Sequence, residues 1–519
     1  MALPQATGAP LRRPLVPSPP SGEKSRNKRS DLRTPRSPLF RIIRTLALAL
    51  LLTIVAAPSL LPKFSVVDND LWIHLKAGDW IVQHASVPRT GILSRTAADR
   101  PWTDYSWLYE AALSFFHSHF QLLGISVFGF LATLGVAYSV FWMTRRLSGT
   151  FWPACLLATF TCAAFLFNVY PRPVFVSMAL FTVTLTLLLE AERTGRHQLL
   201  YWFPLIFAVW ANSHIQFIHG VLLLGLFVAA QICLEIAARF SFASDVLPTP
   251  SLNWQKLVLI FAACFLATCV GPYLYRPYLV AFGYATAKFP YTYIHEFQAL
   301  GFRNYTDFVQ LLLTLLAFFA LGRRKMFDPF LLAVLTFGSI FGFRTQRDAW
   351  LICIPAAACL ARAIAKDESK FSESVWEKVG LAAAVTVLTL VYIRAMNFNT
   401  PELRLAVARA FPVQAINFLR EHPQPGPLYN SYDWGDFIAW YLPEYRVAID
   451  GRSDLYGDEM DRRFLLTENG DSSYADDPYL REANLILLPR EKPLARLLAL
   501  DSHFNMIYQD SLALVFVRR

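Results

Sequence analysis

The sequence predicts a mainly α, polytopic membrane protein: a transmembrane helix bundle of about eleven helices with a small C-terminal α/β domain outside the membrane. Three observations predict it. Hydrophobic residues make up 55% of the 519 residues and charged residues only 17%, against about 25% in ordinary soluble domains. Apolar runs recur from residue 42 to residue 396. Lipid offers an open backbone no hydrogen bonds, so such runs must be helical. After residue 396 the runs shorten and alternate with polar segments.

Residues 1–40 form a basic tail. Ten Lys and Arg against two acids lie within residues 1–44, in a Pro- and Ser-rich stretch read as disordered and cytoplasmic. The net charge of +10 is concentrated there, so it does not indicate nucleic acid. The apolar run after Arg44 follows too long a lead to be a cleaved signal and is read as the first span. The remaining runs fall near residues 121–143, 150–168, 174–190, 199–211, 215–236, 256–272, 307–321, 329–343, 349–364 and 379–396. With the N-terminus inside, the cytoplasmic turns carry Arg145–Arg146, Arg193–Arg196, Arg239, Arg323–Lys325 and Lys366–Lys370, as the positive-inside rule requires. The bundle domain therefore extends over 41–396, and residues 397–519 lie outside. All seven cysteines sit in apolar runs, which excludes a disulfide framework or a cysteine metal site. No Walker sequence or Ser/His/Asp order occurs, which speaks against an ATP-driven pump.

In the C-terminal domain, residues 412–421 and 492–500 read as helices. Runs at 427–430, 446–449, 484–488 and 512–517 read as strands. The first outer loop, 64–120, is long enough to be functional. It opens with Asp68-Asn69-Asp70-Leu71-Trp72-Ile73-His74, where an apolar stripe predicts an amphipathic helix in the membrane interface. Asp68 or Asp70 is either a helix cap or a carboxylate with chemistry. As an Asp-x-Asp pair, the two are also candidates to hold a divalent metal, Mg or Mn. A second outer segment, 273–306, is rich in Tyr and Phe.

This loop, with Gly78-Asp79-Trp80-Ile81-Val82 and Pro101-Trp102-Thr103-Asp104-Tyr105-Ser106-Trp107 ahead of the second span, resembles the GT-C glycosyltransferase superfamily over roughly residues 42–364. Protein mannosyltransferases and lipid A aminoarabinose transferases are the nearest named groups. The chain is also similar to bacterial GT-C-like membrane proteins that carry Asp-x-Asp-Leu-Trp-x-His, Arg-Pro, Trp-Ala-Asn-x-His and Asp-Gly-Arg. The acidic pair of the aminoarabinose transferases lies further ahead of Gly-Asp-Trp than Asp68 does from Gly78. Which of Asp68 and Asp70 takes the family's role is thus open. The resemblance implies a bacterial inner-membrane enzyme that moves a sugar from a polyprenyl-phosphate donor to a glycan, lipid or protein acceptor outside.

That chemistry needs a carboxylate as general base, Asp68 or Asp70, and cations on the leaving phosphate. Arg172, Arg344 and Arg347 lie in outer turns that should be poor in Arg. They are read as a phosphate clamp or as snorkelling side chains. His74, Asp104, Asn212, His214 and Glu296 are candidates to bind substrate at the same interface. In the outer domain Asp433, Trp434, Asp450 and Arg452 are candidates for substrate contact, with caps and an Asp450–Arg452 ion pair as the alternative. The rival readings are a transporter, an assembly factor, or a relative that only binds glycan. Asp-to-Asn substitution at 68 and 70 distinguishes an enzyme from these.

Overall fold

The computed structural model describes residues 38–166, 170, 172–240, 247–324, 327–365, 375–396 and 398–519. The predicted basic tail therefore lies outside the described residues apart from 38–40, as do Lys325 and the turn Lys366–Lys370. The chain divides into two units, Met1–Ile43 and Arg44–Arg519. The described part of the first unit begins helix α1.

Helices coincide with all eleven predicted runs. The elements are α1 (Pro38–Ala56), α2 (Asp70–His84), α3 (Trp107–Ser148), α4 (Phe151–Phe165), α5 (Val174–Thr194), α6 (Phe203–Ala211), α7 (Phe217–Ala237), α8 (Trp254–Thr268), α9 (Arg276–Thr286), α10 (Phe289–Tyr293), α11 (Tyr305–Gly322), α12 (Pro329–Arg344), α13 (Trp350–Ala363) and α14 (Val375–Ala395). Six segments are long and apolar enough to cross a membrane: Pro38–Leu60, α3, α5, α7, α11 and α14. The other five helices at predicted spans are shorter, α6 having nine residues and α13 fourteen. The turns after α6 and α12 line a cavity through His214 and Arg347. Large apolar side chains such as Leu156, Leu259, Leu266 and Leu390 remain exposed on the bundle helices, as lipid-facing surfaces require.

Helix α3 breaks at Gln121, where φ is 53°. The 14 residues before the break thus belong to the predicted outer loop and the rest to the second span. At the far end of α5 from Arg172, Arg362 reaches both Glu192 (3.1 Å) and Asp328 (3.0 Å), and Arg324 also pairs with Asp328 (3.0 Å). These pairs tie α5, α12 and α13 together.

The C-terminal segment contains α15 (Thr400–Ala410), α16 (Val413–Glu421), β1 (Leu428–Asn430), α17 (Gly435–Tyr441), α18 (Asp458–Glu468), β2 (Leu485–Pro489), α19 (Pro493–Leu500), β3 (Phe504–Gln509) and β4 (Ala513–Arg518). The sheet order is β1-β2-β4-β3, with β1 parallel to β2 and the other pairs antiparallel. Two expectations are corrected. The run 446–449 is not a strand of this sheet: Val447 makes an isolated parallel bridge with Ser94 of the first loop. Strand β3 was unexpected, because most of its residues are exposed or half-buried and show no clear alternation.

The amphipathic helix α2 also differs from expectation. Its apolar face packs on protein. Trp72 is buried against Phe411 (5.7 Å between ring centroids), Phe437 (4.9 Å) and Trp440 (4.9 Å). A Cβ at Gly78 would collide with the Glu110 carbonyl, so glycine is what lets α2 lie directly on α3. Asp79 accepts from Ser114 Oγ (2.6 Å) and Trp440 Nε1 (3.2 Å). The Gly-Asp-Trp motif is thus a docking device. Gly78→Ala is expected to separate α2 from α3, and Trp72→Ala to cost about 3–5 kcal/mol, as large-to-small changes at buried aromatics do. Thermal unfolding of the detergent-solubilised variants checks this, and an unchanged midpoint would contradict the docking.

Candidate active site

The segment after α1 turns at Pro62 and places Asp68 just ahead of α2, 5% exposed. No side chain caps α2, so the capping alternative for Asp68 and Asp70 is not what the structure shows. Instead, Arg172, immediately ahead of α5, forks onto Asp68: Nε donates to Oδ2 (2.9 Å) and Nη2 to Oδ1 (2.7 Å). The third nitrogen, Nη1, donates to Glu296 Oε2 (2.7 Å) and lies 3.2 Å from Asp70 Oδ2. The other oxygen of Glu296 meets Arg347 Nη1 at 3.5 Å, a long contact. Three carboxylates and two guanidiniums from four separate segments form one chain of charges.

The two aspartates stand in different electrostatic positions. Burial raises the pKa of Asp68, and Arg172 opposes it. Burial also acts on Asp70, but Arg172, His74 and Arg347 together outweigh it and hold its carboxyl below the usual range. Asp70 is therefore ionised at neutral pH. Its side chain is 41% exposed, whereas that of Asp68 is 4% exposed. Asp70 has a carboxylate edge free for a ligand, while both oxygens of Asp68 are occupied.

These groups border a cavity of about 590 Å³, a size that suits small-molecule ligands. Asp68, Asp70, His74 and Arg172 form one side, with His214 and Arg347 beside them. The aromatic segment contributes Tyr284, Tyr293, Glu296 and Phe297. The C-terminal domain covers it with Tyr432, Asp433, Asp436, Arg452 and Asp454.

The remaining predicted residues divide. His74 lines the cavity, and its Nδ1 lies 2.7 Å from Glu110 Oε1. Burial lowers its pKa against the pull of Asp70 and Asp104. Asp104 does not line the cavity. It is 2% exposed, and burial followed by the nearby Glu110 raises its pKa well above the carboxylate range. Asn212 is a bracket rather than a cavity group: it accepts from Trp107 Nε1 (2.8 Å) and donates to the carbonyls of Ala208 (2.8 Å) and Val270 (2.7 Å). Arg344 stacks on Tyr291 at 4.7 Å, outside the cavity lining. Glu296 pairs with Arg172 and Arg347.

In the covering domain, Asp433 lines the cavity and pairs with Lys492 (2.9 Å). Trp434 is corrected: it is 5% exposed in the core with Phe437 and has no face to offer a sugar. Asp450 is fully buried. It holds Arg452 through Nε (2.8 Å) and Nη2 (2.7 Å) and accepts from Tyr456 (2.8 Å). Arg452 stacks on Trp102 at 4.5 Å and lines the cavity, its Nη1 without a hydrogen-bond partner. The ion-pair alternative thus describes Asp450, and Arg452 alone reaches the site.

Sequence reasoning missed Asp436, Asp454, Tyr105 and Tyr284. Asp436 accepts from the Gly451 amide (2.8 Å), and burial, then Asp450 and Asp70, push its pKa well up. Burial pushes Asp454 up to about 6, against Arg452. The Tyr105 and Tyr284 hydroxyls lie 3.3 Å apart across the cavity wall. Asp436 and Asp454 each lie two residues beyond a residue that was chosen, Trp434 and Arg452. Nothing separates Tyr284 from the other aromatics of its segment.

Among the described residues no group of three or more His, Cys, Asp or Glu side chains is arranged to hold a metal. Asp68 and Asp70 both face Arg172, so a divalent ion between them would have to displace that guanidinium. As the side chains stand, Arg172 engages both aspartates of the predicted pair.

No protein-family profile matches the sequence, and no curated protein matches it. The fold has solved counterparts. The archaeal oligosaccharyltransferase AglB from Archaeoglobus fulgidus, in complex with an inhibitory peptide and a dolichol-phosphate, superposes with a TM-score of 0.53 at 12% identity, over 86% of this chain and 69% of that one. The apo form of the same enzyme gives 0.52 at 12% identity, over 85% and 69%. ArnT from Cupriavidus metallidurans bound to undecaprenyl phosphate gives 0.46 at 13% identity, over 92% and 98%. The chain shares the fold of this oligosaccharyltransferase, a polytopic helix bundle with a C-terminal domain.

Arg172→Gln would leave Asp68 buried without its partner. Stability is expected to fall on the order of 3–5 kcal/mol, the usual cost of breaking a buried pair from one side, with partial recovery in the Asp68→Asn/Arg172→Gln double variant. Chemical unfolding in detergent measures this. A single variant as stable as the parent would show that the fork does not hold the site.

Proposed function

We propose that the chain is a membrane glycosyltransferase that moves a sugar from a polyprenyl-phosphate donor to an acceptor on the extracytoplasmic side of a bacterial inner membrane. The observation that carries this reading is the pairing, in one cavity, of an ionised, accessible carboxylate, Asp70, with a guanidinium, Arg347, whose one ion-pair contact among the described residues is long. The shared fold supports it, as does the dolichol-phosphate bound by the structurally similar AglB.

The roles follow from how far each group is already engaged. Asp68 is consumed in holding Arg172, so the general base is Asp70. The acceptor hydroxyl attacks the anomeric carbon and passes its proton to Asp70. The bond from that carbon to the phosphate oxygen breaks, its electron pair leaves with the phosphate, and the configuration inverts. A carboxylate in hydrogen-bond reach of the attacking hydroxyl does this work. Arg172 has all three nitrogens on carboxylates. Phosphate ligation therefore falls first to Arg347, and Arg172 positions the acids. Charge on the leaving phosphate is met by fixed cations, without a step through a metal. The acceptor, a glycan, lipid or protein, enters under the covering domain, where Arg452 and Tyr432 face the cavity.

The test is transfer by purified protein in nanodiscs, supplied with polyprenyl-phosphate sugars and envelope extracts and read by mass spectrometry as released polyprenyl phosphate. Asp70→Asn is expected to lower turnover by about 10²–10⁴-fold, the usual share of a general base, while lipid binding and the thermal midpoint hold. Chelation by EDTA is expected to leave turnover unchanged. Full activity in Asp70→Asn, or no release with any donor, would overturn the reading.

A further inference from the structure

His214 lies in the turn between α6 and α7 and is 2% exposed, yet it lines the cavity. Its Nδ1 is 2.8 Å from Ser177 Oγ on α5. The same Oγ receives a hydrogen bond from Trp210 Nε1 at 2.7 Å. An indole nitrogen only donates, so Ser177 is the acceptor in that bond. Among the described residues, the one other side-chain partner of this fully buried hydroxyl is His214. A protonated Nδ1 would leave the buried serine proton without a partner, so the arrangement that satisfies every group has Ser177 donating to a bare Nδ1. The ring proton then sits on Nε2, the nitrogen left to face the cavity.

The chain that sets this tautomer is rigid. Trp210 is fully buried, and a Cβ at Gly220 would run into its ring, so the indole packs directly against α7. Ser177 is held inside α5. The Trp-Ala-Asn-Ser-His motif thus has two products: Asn212 brackets the turn, and Trp210 orients His214. Burial, and after it the charge of Arg347, lower the His214 pKa well below its ordinary value, which keeps the ring neutral at pH 7.

We propose that His214 is a neutral hydrogen-bond donor to the phosphate of the lipid-linked substrate, its Nε2–H binding a phosphate oxygen beside Arg347. This rests on the glycosyltransferase reading above. A neutral imidazole with its lone pair already committed cannot take the acceptor's proton, so it does not compete with Asp70 as base. It offers a fixed donor where negative charge grows as the sugar bond breaks. Donors of this kind are strongest when orientation is settled before the reaction. Arg347 and this N–H meet at the cavity as one cation and one neutral donor, a pair that suits a phosphate oxygen.

The experiment is nitrogen-15 NMR of histidine-labelled full-length protein in nanodiscs, with the His214 signals assigned by their loss in His214→Gln. The expected result is a protonated Nε2 and a bare Nδ1. Polyprenyl phosphate should move the Nε2–H resonance and polyprenol should not. Inorganic phosphate, tested separately, shows whether the headgroup alone suffices. Ser177→Ala should mix the tautomers. His214→Ala should lower turnover by about 10²–10³-fold, the usual cost of one such donor, and His214→Gln, which returns a neutral N–H, should recover at least about tenfold of it. A proton on Nδ1, or an unmoved Nε2–H while polyprenyl phosphate binds the protein, would overturn this proposal and leave the glycosyltransferase reading intact. Absence of any polyprenyl-phosphate binding would overturn both.

Discussion

Arg172 sits at the N-terminus of α5, the end of a helix least hospitable to a cation. Three carboxylates compensate it there: Asp68 and Asp70 from the first loop and Glu296 from the aromatic segment. Asp68 and Arg172 are 104 residues apart, and Arg172 and Glu296 are 124 apart. Because Asp68 and Arg172 are largely buried, neither can be removed without leaving the other uncompensated. This single guanidinium therefore fixes the position of the first loop, the start of α5 and the aromatic segment relative to one another. The polar side of the cavity is built before any ligand arrives.

The covering domain is fixed to the bundle by a comparable economy of contacts. The apolar face of α2 continues into the core of α15, α16 and α17 through Trp72. Arg100 donates to the Tyr456 carbonyl (2.6 Å), the Lys288 amide to Asp458 (2.6 Å), and Arg452 stacks on Trp102. Each bond joins the first loop or the aromatic segment to the loop around Asp450-Gly451-Arg452 or to α18. The Asp-Gly-Arg motif acts through all three residues. Asp450 forks Arg452, the Gly451 amide binds Asp436, and a Cβ on Gly451 would press on that same carboxylate. Two distant loops and one domain surround a shared space, which makes the domain part of the site.

What the sequence disclosed follows from the range of the signals. Apolar runs are local, and a helix coincides with every one. The runs at 199–211 and 349–364 are themselves shorter than a full span, and α6 and α13 are shorter still. The acidic opening, the Arg of the Arg-Pro turn and Arg347 were legible as oddities: ionisable groups where few are expected. Their pairing was not, since nothing in a chain of letters states that residue 172 turns back to residue 68. The run 446–449 has strand composition, but its one bridge goes to Ser94. Trp434 looked like a sugar platform because exposure cannot be read from residue type. Ser177, an unremarked serine within an apolar run, gained meaning only once Trp210 and His214 were seen on either side of it.

The charge balance along this chain of ion pairs matters for the ligand. Asp68, Asp70 and Glu296 outnumber Arg172 and Arg347 by one, so a phosphate approaching this wall meets an acidic excess unless a carboxylate gives way. Glu296 holds Arg172 at 2.7 Å and Arg347 at 3.5 Å, so the contact that yields at least cost is the one to Arg347. Exchange there gives Arg347 to the incoming phosphate and leaves Glu296 on Arg172. It disturbs neither the Asp68 fork nor Asp70. The weakest link of the charge chain is thus the one beside His214, and the same asymmetry that keeps the acids in place frees one cation for the ligand.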